Sequence, residues 1–347
     1  MTPSKNNFLH HVRLLRTAAQ ECGAELIIAG DSMEALLRKD DAHWVLHPQF
    51  LANIDGVKQY TPTLVDEVTH FAGWLPYRNK RWPLASNKLA FKKFVQDAGL
   101  RTPEYARDND AELDSVIVKR AASSFGNKIL GPFRSSREHP LDTQQEEYYE
   151  RFIQGQLLKI WFWNAQPVCA ELDDMPSIEG DGASSIKDLM ARRARAGQRR
   201  TESQITRMLQ LREPIFNYYG VNQDTVLPRK VSQIIEFRYG SALMQMHERT
   251  VIDMSAGNLP FWTADLAEIG RIIHAGIPEA LRDNTVFTLD AILDEEQGIW
   301  LLEINSNPAI QPLLYPAMIK NLIPAARPTP AVLPASDVSS LQSRVIQ

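Results

Sequence analysis

Residues 285–308 carry acids and amides at a spacing that can hold a divalent cation. The stretch reads Thr285-Val-Phe-Thr-Leu-Asp-Ala-Ile-Leu-Asp-Glu-Glu-Gln-Gly-Ile-Trp-Leu-Leu-Glu-Ile-Asn-Ser-Asn-Pro308. Two apolar runs, 286–293 and 299–304, flank the polar turn 294–298, which predicts a β-hairpin. Side chains alternate along a strand, so Glu303 and Asn305 share a face, and a hairpin centred near Glu296 sets Asp290 roughly opposite Glu303. Two carboxylates and an amide oxygen form a hard-oxygen set. Such a set suits Mg²⁺, which is commonly held by one or two carboxylates plus substrate phosphates. Acidic turns between strands are common, but acids facing inward from apolar strands are not, because an unpaired buried charge is costly. The chemistry expected is that of a nucleotide enzyme.

Three upstream features bear on the same chemistry. Lys119 ends a predicted strand over 115–119 and leads into Ser123-Ser-Phe-Gly126. Such a small-residue loop can offer backbone N–H groups to phosphates, and the lysine adds a point charge. Lys88 lies near the start of a helix predicted over 86–95, with Ser86 as N-cap and Gly99 as its stop. Glu150-Arg-Phe-Ile-Gln-Gly155 joins two predicted strands, as a hinge under an adenine ring does. Alone, each has a commonplace counterpart in a surface lysine, a turn or a strand end.

The elements that must position these residues are mixed. A helix is expected over 8–22, strands over 25–29 and 43–47 (the second ending at Pro48), and together they read as a small α/β unit to about Trp82. Strands over 157–163 and 167–171 flank a turn at 164–166. Residues 173–185 read as a Gly/Asp/Ser loop without a core. A helix over 186–196 carries Arg192, Arg193 and Arg195, with Arg199 and Arg200 following. That basic run reads as a solvated face, and Trp161-Phe-Trp163 as core packing. A strand over 231–237 and a helix over 266–281 follow. The order predicts an α+β body behind a small α/β domain.

At 347 residues the chain accommodates two or three domains. A formal net charge of −4 gives no global pull towards nucleic acid or anionic membrane, so neither is expected as a partner. Two cysteines, Cys22 and Cys169, have no metal or redox spacing and fit a reducing compartment. With neither a membrane-spanning run nor a signal-peptide core, the expectation is a cytoplasmic protein.

Taken together, these residues resemble the ATP-grasp superfamily. Its pattern runs Lys, then Lys with a glycine-containing loop, a Glu-x-x-(Ile/Val)-x-Gly hinge, Asp, and Glu-x-Asn. Here it appears as Lys88, Val118-Lys119 with residues 123–126, Glu150 to Gly155, Asp290, and Glu303-Ile-Asn305. Leu302-Glu-Ile-Asn-Ser-Asn-Pro308 resembles the family's metal-binding strand. Met175-Pro-Ser-Ile-Glu-Gly-Asp-Gly-Ala-Ser-Ser-Ile-Lys-Asp-Leu189 is similar to a stretch of cyanophycin synthetases and fused glutathione synthetases, which join a carboxylate to an amine using ATP. The sequence departs from the pattern at Ala309, where glycine is usual, at Gln156, where an acid is usual, and in Tyr239-Gly-Ser-Ala-Leu-Met-Gln-Met-His247, which replaces a glycine-rich segment.

The resemblance implies an ATP-grasp fold, two α+β subdomains gripping ATP, behind a pre-ATP-grasp domain at 1–83. The catalytic domain would span 84–323, divided near 155 into a lid and a metal/substrate subdomain. A Pro/Ser-rich tail would follow over 324–347. It also implies ATP with Mg²⁺ (or Mn²⁺) as cofactors, and Asp290, Glu303 and Asn305 as metal ligands. Lys88, Lys119, Ser123, Ser124, Gly126, Glu150, Phe152, Ile153 and Gln156 would contact the nucleotide. Lys159 and Arg238 would point to the reacting carboxylate, and His247 and Arg249 would lie near substrate. The implied reaction is ADP-forming amide synthesis through an acylphosphate, acting on small-molecule or peptide substrates, in a homodimer by family habit. The alternatives are a small-molecule kinase of the same fold and a non-catalytic nucleotide-binding protein. A phosphate release that requires both a carboxylate and an amine separates the ligase from both.

Overall fold

The structure, a computed structural model, describes residues 3–122, 129–197, 201–238 and 250–324. Helix α1 (Pro3–Glu21) opens the chain and covers an antiparallel sheet of β1 (Glu25–Ile28), β2 (Ala35–Lys39), β3 (Ala42–Ile54), β4 (Val57–Thr61) and β5 (Val68–Leu75). The unit is therefore a helix on an antiparallel sheet. The expected stop at Pro48 does not occur, and β3 runs on to Ile54. Pro48 lacks an N–H, yet the strand tolerates it where it changes partners, from β2 up to Leu46 to β5 from His47 onward.

Short α2 (Pro83–Ser86) precedes α3 (Lys88–Asp97). The N-cap of α3 is Asn87, whose side chain accepts from Ala90 N at 3.0 Å, and not Ser86, whose hydroxyl instead donates to Trp82 O. Strands β6 (Tyr105–Ala106), β7 (Asp114–Arg120), β8 (Leu130–Ser135) and β9 (Glu147–Arg151) form a four-stranded sheet ordered β6-β9-β7-β8.

The central sheet is made by β10 (Gln156–Trp163) and β11 (Gln166–Asp173), with later strands described below. Residues 173–185 are not a coreless loop. They contain β12 (Ser177–Glu179), and Met175 and Ile178 are buried with α4 (Ile186–Gly197), α5 (Glu202–Gln210) and α6 (Glu213–Tyr218). The strand expected over 231–237 is paired only in β13 (Ser232–Ile234), against β12. After β14 (Thr250–Asp253), the expected 266–281 helix divides into α7 (Leu266–Ala275) and α8 (Glu279–Arg282) around Gly276 and Pro278. Strands β15 (Val286–Leu293) and β16 (Ile299–Ser306) and helix α9 (Leu314–Leu322) complete the described chain. The central sheet runs β14-β11-β10-β15-β16, antiparallel throughout.

That sheet positions the site through the two faces of β10. Leu158, Ile160 and Phe162 enter a core with α3 and α7. The alternate residues meet three different environments. Leu157 joins the α4–α6 core with Ile292, while Trp161 and Trp163 join the N-terminal core with Trp74, Leu314 and Tyr315. Lys159 lies between them. The polar residues of the site therefore occupy the gap between two apolar cores on one sheet face.

Candidate active site

The 286–304 hairpin forms as its alternation predicts, with Asp290 opposite Glu303. A bulge sets Leu302 as an extra residue between Leu301, opposite Ala291, and Glu303, opposite Asp290. Bulges of this kind re-aim side chains beside functional sites. Lys159 Nζ lies 2.6 Å from Asp290 Oδ1, and Asn305 Nδ2 donates to Asp290 Oδ2 at 3.1 Å. Lys88 Nζ reaches Glu303 Oε2 at 2.9 Å. Asp290, Glu303 and Asn305 thus meet, each acid beside a lysine. Burial alone would raise the Asp290 pKa, but the Lys159 ammonium, its hydrogen bond and those with Glu303 and Asn305 hold it low. Lys159 is held above the ordinary lysine range against burial, chiefly by Asp290.

The donor set fits a magnesium ion. Among the described residues no three His, Cys, Asp or Glu side chains gather into a protein-only cage. Two carboxylates with the Asn305 oxygen leave positions to fill, as Mg²⁺ sites completed by phosphates do.

A second cluster lies one helical turn along α3 from the first. Lys119 donates to Glu150 Oε1 at 2.6 Å, and Lys92 Nζ lies 2.7 Å from Glu150 Oε2. Glu150 is 1% exposed and Lys92 wholly buried. Burial would raise the Glu150 pKa, but Lys119 and Lys92 outweigh it and hold the carboxyl ionised. Tyr148, buried on the same strand, has its hydroxyl pKa pushed well up by burial and by Glu150 and Glu303. Lys92 was not among the residues read from the sequence. Its signal was available, since Lys88 and Lys92 stand one helical turn apart.

The other expected contacts are placed as follows. Phe152 packs edge-on against Tyr218 and Phe237, and Ile153 is half-buried against the same core. Gln156 Nε2 donates to Asp174 Oδ1 at 2.7 Å. The hinge needs Gly155, because a Cβ there would stand 2.2 Å from Leu293 O. Ser123, Ser124, Gly126, His247 and Arg249 lie outside the described residues.

Arg238 is gripped by its own neighbour. Its Nε and Nη2 donate to the two Glu236 oxygens at 2.8 and 3.0 Å, and Arg212 Nη2 reaches Glu236 Oε2 at 2.8 Å. Burial opposes ionisation of Glu236, but the hydrogen bonds and charges of Arg238 and Arg212 hold its pKa down. Sequence reasoning singled out Arg238 without its partners Glu236 and Arg212. The Gly180-Asp-Gly182 motif has local work: Asp181 accepts from Ala183 N, Ser184 N and Ser184 Oγ, and pairs with Arg192 of the basic helix. A Cβ at Gly180 would stand 2.2 Å from Pro228 O.

No family model matches the chain, and no curated protein does. Solved structures do. The bifunctional glutathione synthetase from Pasteurella multocida is similar over 91% of this chain and 43% of its own, at 15% identity and a TM-score of 0.44. D-alanyl-alanine synthetase A from Vibrio cholerae is similar over 68% of this chain and 60% of its own, at 13% identity and a TM-score of 0.34. The ATP-grasp ligase PsnB, complexed with a minimal precursor, is similar over 68% of this chain and 59% of its own, at 11% identity and a TM-score of 0.33. The chain thus spans less than two thirds of each of these proteins. No helix among the described residues is long and apolar enough to cross a membrane.

Proposed function

We propose that this protein is an ATP-dependent ligase that joins a carboxylate to an amine and releases ADP and phosphate. The observation that carries the reading is the convergence of Asp290, Glu303 and Asn305 on one sheet face, with Lys88 and Lys159 at the acids and Lys119 paired with Glu150, which α3 also reaches through Lys92. The motif order resembling the ATP-grasp family supports it.

In this reading Lys88 and Lys119 bind the nucleotide phosphates, and their charges offset the charge that builds up as the γ-phosphate transfers. Asp290, Glu303 and Asn305 would hold Mg²⁺, which neutralises phosphate charge and orients the leaving group. The substrate carboxylate oxygen forms a bond to the γ-phosphorus as the bond to ADP breaks. The amine then attacks the acyl carbon, the C–O bond to phosphate breaks, and the amine's proton departs with phosphate. Lys159 exchanges its contact with Asp290 for the carboxylate. Arg238, held in place by Glu236, steadies the same group, a role for which a planar guanidinium fork is suited. The neighbouring apolar cores shield the acylphosphate from water.

The test is a screen of amino acids and dipeptides in pairs with Mg-ATP, read by mass spectrometry and phosphate release. The expected result is a condensed product formed with ADP only when a carboxylate and an amine are both present. A phosphorylated alcohol with no amide from any pair would instead assign the protein to the kinases.

A further inference from the structure

Helix α3 carries one lysine to each of the two clusters. Lys88 and Lys92 are four residues apart and so lie on one face. Lys88 reaches Glu303 on β16, and Lys92 reaches Glu150 on β9. Lys92 is wholly buried; its ammonium pairs with Glu150 Oε2 at 2.7 Å and donates to Thr102 Oγ1 at 2.9 Å and Pro103 O at 3.5 Å. The Tyr105 ring covers it at 5.6 Å. A lysine so enclosed touches no ligand. Its effect passes through Glu150, whose other oxygen holds Lys119 at 2.6 Å.

We infer that Lys92 is a positioning residue of the nucleotide site, sharing Glu150 so that Lys119 keeps positive charge available to phosphate. Two ammonium groups and one carboxylate leave the buried triad with one positive charge. Without Lys92, Glu150 would belong to Lys119 alone, and that pair would present no net charge to an anion. The inference rests on Lys119 being a phosphate contact, as proposed above.

The test compares affinities of the full chain for adenosine and for the non-hydrolysable analogue AMP-PNP with Mg²⁺, by calorimetry. Lys92→Met should reduce the preference for AMP-PNP over adenosine by about tenfold or more, because one charge is withdrawn from a poorly solvated site. Adding Glu150→Gln should restore the preference to within about threefold of wild type, since Lys119 is again uncompensated. A lost packing contact would not be rescued that way. Equal weakening of both ligands, no weakening, or a double variant no better than the single would overturn the inference. Should Lys92→Met fail to fold, the double variant, whose one remaining charge equals the net charge of the wild-type triad, stands alone, and a tenfold loss of preference in it would overturn the idea. The parent reading fails separately: a wild type that does not prefer AMP-PNP, or a Lys119→Ala variant that keeps the preference, removes both. Loss of preference in Lys119→Ala but not in Lys92→Met removes only the role of Lys92.

Discussion

Lysines set the character of this site at the level of single residues. Asp290, Glu303 and Glu150 would be costly to bury alone, and each is matched by an ammonium group within 2.9 Å. Lys119→Ala should cost on the order of 2 to 4 kcal/mol of transition-state stabilisation, seen as a lower kcat/KM for ATP, by analogy with other preorganised donors. An unchanged kcat/KM would remove Lys119 from the phosphate site. The acids were legible because a carboxylate inside an apolar strand is conspicuous. Lys92 was legible only as a spacing of one helical turn from Lys88; a lysine on a helix is usually solvated, and the fold adds that Thr102, Pro103 and Tyr105 enclose it. The roles expected of Glu150 and Phe152 were read from their place at a hinge. The fold uses the Glu150 carboxylate to pair lysines and the Phe152 ring to fill a core.

Among the elements, strands with strong alternation were the most legible. The bounds of β15 match the 286–293 run, and β10 and β11 fall within a residue or two of expectation. Strands β2, β4 and β5 were missed, because short mixed runs such as Val57–Thr61 gain their pairing from β3 and carry little signal of their own. The end of β16 shows two asparagines with different tasks. Asn305 faces the site, whereas Asn307 accepts from Lys80 N at 2.9 Å and donates to Lys80 O at 2.7 Å and Asn79 Oδ1 at 2.9 Å. It ties the linker between the N-terminal unit and α2 to the segment just after β16. Asn307→Ala should therefore destabilise the fold by about 1 to 3 kcal/mol, since it strands partly buried backbone groups. Chemical denaturation reads this directly, and an unshifted midpoint would contradict the clamp.

For the molecule as a whole, the N-terminal unit shares a core with the central sheet. Trp74 and α9 pack with Trp161, Trp163 and Val286 of the central sheet. His11 on α1 hydrogen-bonds the Tyr315 hydroxyl at 2.7 Å, and that oxygen accepts from Trp74 N at 3.1 Å. Burial, with a smaller effect of His10, lowers the His11 pKa to about 3. The unfolded chain therefore binds a proton that the folded one refuses between the ordinary histidine value and about 3. Stability should fall as pH drops through about 6.5, before the carboxylates titrate. His11→Gln should flatten that slope between about pH 6.5 and 4.5, followed by thermal unfolding at each pH. An equal slope in both proteins would show that His11 is not the group responsible.

The central claim is that a carboxylate is activated by phosphoryl transfer at the Asp290–Glu303–Asn305 cluster. Hydroxylamine tests it, because it replaces the amine and captures an acylphosphate as a hydroxamate. A panel of amino acids and dipeptides, each with Mg-ATP and hydroxylamine, should yield hydroxamate and ADP in equal amounts for at least one carboxylate. Glu303→Gln should abolish both products while its circular dichroism stays that of the wild type. Formation of AMP and pyrophosphate, or a Glu303→Gln variant that still makes hydroxamate, would contradict the account.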